Sequence, residues 1–203
     1  MRCRLALACV FALVIVAMFG SVASGASSPM QVTFVGDSVP ASIEYVPSAQ
    51  RILERGLAVR LDLEVCRRLV QQGCVYMGST PSTALQAVQS YRRSLGQVLV
   101  VNVGYNESEY GYGAGIDRVM RAALAQGAKG VVWVTLREQI DIYRGTNIVI
   151  RRAAKRWPQM QLADWQIYSA GKPWFRGDGL HMKPTGANAF AAFVRSYIFR
   201  AAA

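Results

Sequence analysis

The stretch Gln97-Val98-Leu99-Val100-Val101-Asn102-Val103 is mostly apolar and rich in β-branched residues, with one polar residue at its start and one near its end. A short continuous apolar run of this kind is typical of a strand buried on both faces. Such strands occur in parallel sheets that helices cover on both sides. This stretch therefore favours an α/β fold.

Similar runs lie on both sides of this stretch, and segments of helical period separate them. The predicted strands cover Gln31–Val35, Ala58–Val65, Gln97–Val103, Gly130–Thr135 and Met160–Ala163. The predicted helices cover about Pro40–Glu54, Ser82–Leu95, Ile116–Leu124, Tyr143–Trp157 and Phe190–Ile198. The alternation predicts a three-layer α/β/α sandwich around a five-stranded, mostly parallel sheet.

The N-terminus has the pattern of an export signal. Arg2 and Arg4 precede an apolar run over Leu5–Gly20, and small residues follow over Ser21–Ala26. We expect a signal peptide over residues 1–26, with an approximate cleavage site, and a single domain over residues 27–203. The apolar run of 16 residues is short for a membrane span, so an uncleaved anchor is the alternative. Either reading predicts a secreted or envelope-associated protein.

The chain is strongly basic, with a formal net charge of +11. Residues 1–26 hold Arg2 and Arg4 and no acid, so their removal leaves +9. This charge favours an anionic envelope surface as a neighbour. No basic motif is interleaved with aromatic residues, so no specific nucleic acid is expected. The basic residues over 151–156 are interpreted as the solvated face of a helix.

Two cysteines, Cys66 and Cys74, remain outside the signal segment. Their spacing and an oxidising compartment favour a disulfide, and two buried thiols are the alternative. No second cysteine pair or nearby histidine supports a zinc site. His181 is the only histidine of the chain, which excludes a multi-histidine metal site. No metal and no cofactor are expected.

Polar residues follow the predicted strands where the reactive loops of parallel sheets gather. These residues are Asp37-Ser38, Tyr105-Asn106, Arg137-Glu138 and the loop that holds Asp178 and His181. We expect them to lie near one another beyond the carboxyl ends of the strands.

The spacing of Asp178 and His181 allows the carboxylate to bind one ring nitrogen and leaves the other facing a nucleophile. Ser38 precedes a predicted helix, whose N–H groups and dipole favour a developing negative charge. A helix cap is the alternative for Ser38, and Asp37 is either part of the site or a loop-stabilising carboxylate. The Asn106 amide can donate to an oxyanion.

The order of three short blocks resembles the SGNH hydrolase family, the GDSL-like lipases and esterases. The blocks are Gly36-Asp37-Ser38-Val39, Gly104-Tyr105-Asn106 and Asp178-Gly179-Leu180-His181, and they extend over nearly all of residues 27–203. The resemblance implies a flavodoxin-like sandwich with Ser38 as nucleophile and His181 as base. It also implies that Asp178 orients His181, and that Asn106 and the Ser38 backbone N–H bind the oxyanion.

One block departs from the family pattern. Family members usually carry a glycine after the second strand, and its N–H completes the oxyanion hole. The segment Leu63–Arg68 has no glycine, so the backbone N–H of Cys66 or Arg67 is the expected replacement. Gly73 and Gly78 are further alternatives. The chain also resembles SGNH domains attached to membrane O-acyltransferases, which share a Val-x-Arg-like element here.

The sequence therefore predicts an exported serine esterase that acts on short-chain O-acyl esters, such as acetyl esters, of small molecules or envelope carbohydrate. Arg137 and Tyr105 are candidate substrate contacts, although an ion pair with Glu138 would also explain Arg137. The alternatives are an O-acyltransferase to an envelope sugar, a non-catalytic carbohydrate-binding module with this fold, and a basic surface-binding protein.

Overall fold

A computed structural model describes residues 28–107 and 110–203. The predicted signal segment lies outside these residues. The strands are β1 (Met30–Gly36), β2 (Leu57–Leu63), β3 (Val98–Asn102), β4 (Gly130–Val134) and β5 (Met160–Ala163). The α-helices are α1 (Pro47–Glu54), α2 (Ala84–Tyr91), α3 (Tyr112–Ala125), α4 (Asp141–Arg156), α5 (Trp165–Tyr168) and α6 (Pro184–Ala202). Within the described ranges, no helix combines the length and apolarity needed to cross a membrane.

The five strands form one sheet in the order β2-β1-β3-β4-β5. Each neighbouring pair is parallel, so the sheet is entirely parallel rather than mostly parallel. β3 lies at its centre, and all five of its residues are buried. The central apolar stretch of the sequence therefore forms the strand that was expected of it.

Successive residues of each strand point to opposite faces of the sheet and enter two separate cores. One core packs Phe34 and Val100 of the sheet against Leu53 of α1 and Phe190 of α6. On the other face, the strands pack against α2, α3 and α4, and Ile116 of α3 is fully buried there. The predicted three-layer α/β/α sandwich is confirmed.

The predicted helix over Pro40–Glu54 is divided in two. A four-residue 3-10 helix covers Pro40–Ile43, and α1 begins only at Pro47. Pro47 has no N–H to donate, and its ring forces Val46 into the extended region, with φ −127° and ψ 93°. Ser38 therefore precedes a single short turn, and the helix dipole expected beside it is too small to contribute much.

Candidate active site

Three side chains from opposite ends of the chain form a hydrogen-bonded row at the carboxyl edge of the sheet. Ser38 follows β1, and its Oγ lies 3.3 Å from Nε2 of His181. The other ring nitrogen, Nδ1, lies 2.7 Å from Oδ2 of Asp178. The fold thus brings together the predicted nucleophile, base and orienting acid.

The loop that carries Asp178 and His181 is held by backbone bonds. Oδ1 of Asp178 accepts the N–H groups of Leu180 (2.8 Å) and His181 (3.0 Å). Partial burial raises the pKa of Asp178, but these N–H donors and the His181 ring outweigh burial and lower it overall. Next along the loop, Met182 donates its N–H to Oγ of Ser42 at 3.3 Å. This bond attaches the loop to the 3-10 helix after Ser38.

Asp37 connects the segment of Ser38 to the loop after β3. Its carboxylate is fully buried and accepts the N–H groups of Val39, Gly104 and Tyr105, each at 3.1 Å. Burial raises the pKa of Asp37 to about 6, against the opposing effects of the three N–H donors and of His181. Of the two sequence interpretations, the structure supports the loop-stabilising carboxylate.

A tight turn beyond β2 takes the place of the missing glycine. The N–H of Arg67 donates to the Glu64 carbonyl at 3.2 Å, so the Arg67 amide is already engaged within the turn. Between them, Cys66 has φ +66°. The side-chain amide of Asn106 donates to the Arg67 carbonyl at 3.2 Å. Asn106 and the turn therefore lie side by side.

The Arg67 side chain fixes this turn to the sheet from beneath. Its guanidinium is fully buried and forms ion pairs with Asp62 (2.7 Å) and Glu64 (2.9 Å). It also donates to the carbonyls of Gly36 (3.4 Å) and Ser82 (3.0 Å). Because the guanidinium is buried with several partners, its loss would leave the largely buried Asp62 without its ion pair.

The predicted disulfide between Cys66 and Cys74 is present. It closes a loop that begins at the turn. Gly73, one of the alternative N–H donors, packs against the Cys66 carbonyl. Gly78 lies in an exposed turn with φ +81°. Of the candidates in this region, Cys66 is the one that lies in the turn beside Asn106.

A cavity of about 360 Å³ opens over the Ser38 and His181 side chains. Its walls combine apolar side chains with one arginine, and they consist of Ser38, Ser42, Tyr45, Val46, Arg176, Asp178, His181, Met182 and Pro184. Within residues 28–107 and 110–203, no cluster of three or more His, Cys, Asp or Glu side chains is arranged to hold a metal ion.

Arg137 does not pair with its neighbour Glu138. The Arg137 guanidinium carbon lies 3.8 Å from the centroid of the Phe175 ring, in a cation–π contact. Glu138 instead forms ion pairs with Arg144 (3.8 Å) and Arg151 (3.5 Å). Arg137 is not among the residues that line the cavity, and its contact with a substrate stays a prediction.

Tyr105 lies in the core rather than on a cleft wall, and only 8% of its surface is exposed. Its phenol oxygen accepts the N–H of Arg137 at 2.8 Å, and its carbonyl accepts the hydroxyl of Tyr143 at 3.3 Å. Because these contacts use its polar groups, Tyr105 does not belong to the proposed substrate site.

Two residues that build the site are not predicted by the sequence patterns. The patterns indicate Arg67 only through its backbone, and they do not indicate Arg176. A cation three residues after Glu64 and five after Asp62 is a weak signal of a buried ion pair. The position of Arg176 in the cavity wall depends on how the loop folds back, which the spacing of its residues does not reveal.

No family model matches the chain, and neither does any curated protein. Solved structures with the same fold do match it. A psychrotrophic esterase EstA from Pseudoalteromonas sp., inhibited by monoethylphosphonate, superposes with a TM-score of 0.63 at 10% identity, over 84% of this chain and 97% of the esterase.

Two further structures agree equally well. A carbohydrate acetylesterase family member from Sinorhizobium meliloti has a TM-score of 0.63 and 10% identity, over 85% of this chain and 99% of that one. A family 3 carbohydrate esterase from Clostridium thermocellum has a TM-score of 0.61 and 11% identity, over 84% of this chain and 96% of that one. At such low identity these likenesses establish a shared fold.

Proposed function

We propose that the protein is a serine ester hydrolase that acts through an acyl-Ser38 intermediate. The observation that carries this proposal is the unbroken row from Ser38 Oγ through the His181 ring to Asp178, with the cavity above it. A nucleophile bonded to a base that a third group orients is the arrangement of acyl-transfer enzymes. The solved structures with this fold whose names describe esterases agree with it.

In the first half-reaction, Nε2 of His181 accepts the Ser38 hydroxyl proton as Oγ attacks the ester carbonyl. The 3.3 Å separation shortens when substrate is bound, as catalytic hydrogen bonds commonly do. With its proton on Nδ1, the ring donates to Asp178, which stabilises the imidazolium that forms. His181 then protonates the departing alcohol. In the second half-reaction His181 deprotonates the attacking water, the bond between the acyl group and Ser38 Oγ breaks, and His181 returns the proton to Oγ as the carboxylic acid leaves.

Three donors are suited to the oxyanion of the tetrahedral intermediate. Among the described residues, the backbone N–H groups of Ser38 and Cys66 have no acceptor. The Asn106 amide nitrogen carries two hydrogens, and its bond to the Arg67 carbonyl uses one. The second hydrogen is left for the substrate. Losing one such donor typically lowers kcat by about 10²–10³-fold.

The cavity favours a small substrate, since about 360 Å³ is near the lower limit for ligand sites. We therefore propose short O-acyl esters such as acetyl esters, with carbohydrate as the alcohol and the envelope outside the cytoplasm as the setting. A sugar hydroxyl could replace water in the second half-reaction. Adding an oligosaccharide acceptor to the assay and detecting acylated sugar would identify transfer.

Ser38→Ala and His181→Ala should each lower kcat on nitrophenyl acetate by several orders of magnitude without loss of folding. A matched control is Ser90→Ala on α2, where the hydroxyl bonds only within its own helix. A fluorophosphonate probe should label the wild type and not Ser38→Ala. Full activity in Ser38→Ala would rule out the mechanism, and a wild type that neither turns over esters nor reacts with the probe would favour a non-catalytic binding module.

A further inference from the structure

We infer that the Cys66–Cys74 disulfide is a positioning element of the active site, because it holds a non-glycine residue in the backbone conformation that presents an oxyanion donor. The inference rests on the proposed function. It assigns to the disulfide a role in the rate of the reaction in addition to any role in stability.

The first observation is the backbone of the turn. Glu64 and Arg67 close a four-residue turn through their backbone hydrogen bond, which makes Cys66 its third residue. A positive φ at this position of a turn is normally left to glycine or asparagine, because a β-carbon is crowded there. Cys66 has φ +66° with a β-carbon present. A contact that holds Cys66 in this conformation would offset the cost of the crowded β-carbon.

The disulfide supplies that contact together with its loop. Cys74 ties the Cys66 side chain to the returning chain, and Gly73 packs so closely that a β-carbon there would lie 1.9 Å from the Cys66 carbonyl oxygen. Shortly after Cys66 along the chain, Leu69 donates its N–H to the Glu107 carboxylate, which also forms an ion pair with Arg68 at 3.3 Å. The segment that begins at Cys66 is thus held both by its own loop and by the loop after β3.

The second observation is where the turn lies. The N–H of Glu64 donates to the Gly36 carbonyl at 3.1 Å, two residues before the nucleophile Ser38. Asn106 bonds to the carbonyl of Arg67, directly after Cys66. The turn that carries the Cys66 amide is therefore bonded both to the end of β1 before Ser38 and to Asn106, and this amide has no acceptor of its own within the described residues. A change of φ at Cys66 would rotate this amide away from them.

The test compares two variants that both lack the disulfide. In Cys66→Ala/Cys74→Ala the residue keeps a β-carbon, so the released turn should relax to negative φ. In Cys66→Gly/Cys74→Ala glycine adopts the positive φ without strain. We expect kcat on nitrophenyl acetate to fall about 10²-fold or more in the alanine variant, with little change in KM. The glycine variant should lose markedly less of the wild-type kcat than the alanine variant does.

A dithiol provides a second measurement on the unmodified protein. It reduces the disulfide to two thiols and is itself oxidised to a cyclic disulfide. Reduction should lower kcat in the wild type and leave the glycine variant unchanged. Far-UV circular dichroism and urea denaturation check that each variant is folded, and the glycine variant should have the higher denaturation midpoint of the two. That comparison needs no substrate.

Two outcomes would overturn the inference. Wild-type kcat in the alanine variant would mean that the turn holds itself, and equal losses in the two variants would mean that the disulfide acts through general stability. If neither the wild type nor any variant has esterase activity, the proposed function fails. Equal denaturation midpoints for the two variants would then overturn the conformational part of the inference as well.

Discussion

At the residue scale, Asp37 shows how a buried charge can organise a site without contacting substrate. Its carboxylate gathers three N–H groups, two of them from the loop that carries Asn106. Burial still disfavours its charged form, since its pKa is raised from 3.8 to about 6. The charged carboxylate therefore lowers the stability of the folded protein at neutral pH. Its hydrogen bonds fix the position of Ser38 relative to Asn106.

This shift predicts how stability depends on pH. Between pH 4 and 6 the folded state holds more protons at Asp37 than the unfolded state does, so the free energy of unfolding should fall as pH rises through this window. A shift of about two pKa units corresponds to about 3 kcal/mol, and the loss should be complete above pH 6.

Urea denaturation of the wild type and Asp37→Asn from pH 4 to 8 measures this effect, because other titrating groups are common to both proteins. The asparagine side chain also presents an NH₂ group to some of the N–H donors, so the variant should be less stable than the wild type at pH 4. Its free energy of unfolding should then fall less than that of the wild type as pH rises. A difference between the two proteins that is constant from pH 4 to 8 would contradict the assignment.

At the scale of elements, the amino-terminal end of α6 supports the loop of His181. Trp174 accepts the N–H of Lys183 at 2.8 Å, and Phe175 forms a bridge to Met182. Gly186 is the point of closest approach, since a β-carbon there would lie 2.4 Å from the Trp174 carbonyl oxygen. The helix and the loop are therefore packed without room for a methyl group.

Gly186→Ala should destabilise the protein and lower activity. Alanine adds about 1 kcal/mol of helix propensity, but the clash with a backbone carbonyl costs about 1–3 kcal/mol and displaces the loop of His181. We expect a net loss of up to about 2 kcal/mol in urea denaturation, together with a lower kcat.

Gly177→Ala is the matched control, because Gly177 lies in the same loop without a positive φ, and a β-carbon there would meet no described atom within 4 Å. It should leave the denaturation midpoint and kcat close to those of the wild type. Equal effects of the two substitutions would mean that the contact at Gly186 is not what holds the loop.

Much of this arrangement follows from local sequence patterns, and the rest depends on tertiary contacts. Strand β3 is predictable because a strand that is buried on both faces of a sheet requires a continuous apolar run. The helices that cover these two faces are predictable from their helical period. The prediction of one continuous helix over Pro40–Glu54 is wrong because Pro47 has no N–H to donate to the preceding turn, so a new helix begins there. The turn at Cys66 is not predictable locally, since a positive φ in a cysteine depends on the disulfide and on packing against Gly73.

At the scale of the whole molecule, the main feature outside the candidate active site is the net positive charge. The net charge is +9 once residues 1–26 are removed, and ion pairs neutralise part of the basic face of α4. Arg151 pairs with Asp164 at 3.0 Å, and Arg156 pairs with Asp117 at 2.9 Å. Two of the basic residues over 151–156 are therefore paired with acids, and other basic residues of the chain account for the excess.

A net positive charge of this size predicts association with anionic surfaces that depends on salt. Residues 27–203 should bind vesicles of phosphatidylglycerol at low ionic strength and not vesicles of phosphatidylcholine, with cosedimentation as the measurement. Binding should be lost as salt rises from 0.1 M to 1 M, because the screening length falls from about 10 Å to about 3 Å. Ser38→Ala should bind as the wild type does, since the charge does not involve the nucleophile. Salt-independent binding to both vesicles would instead indicate an apolar contact with the membrane.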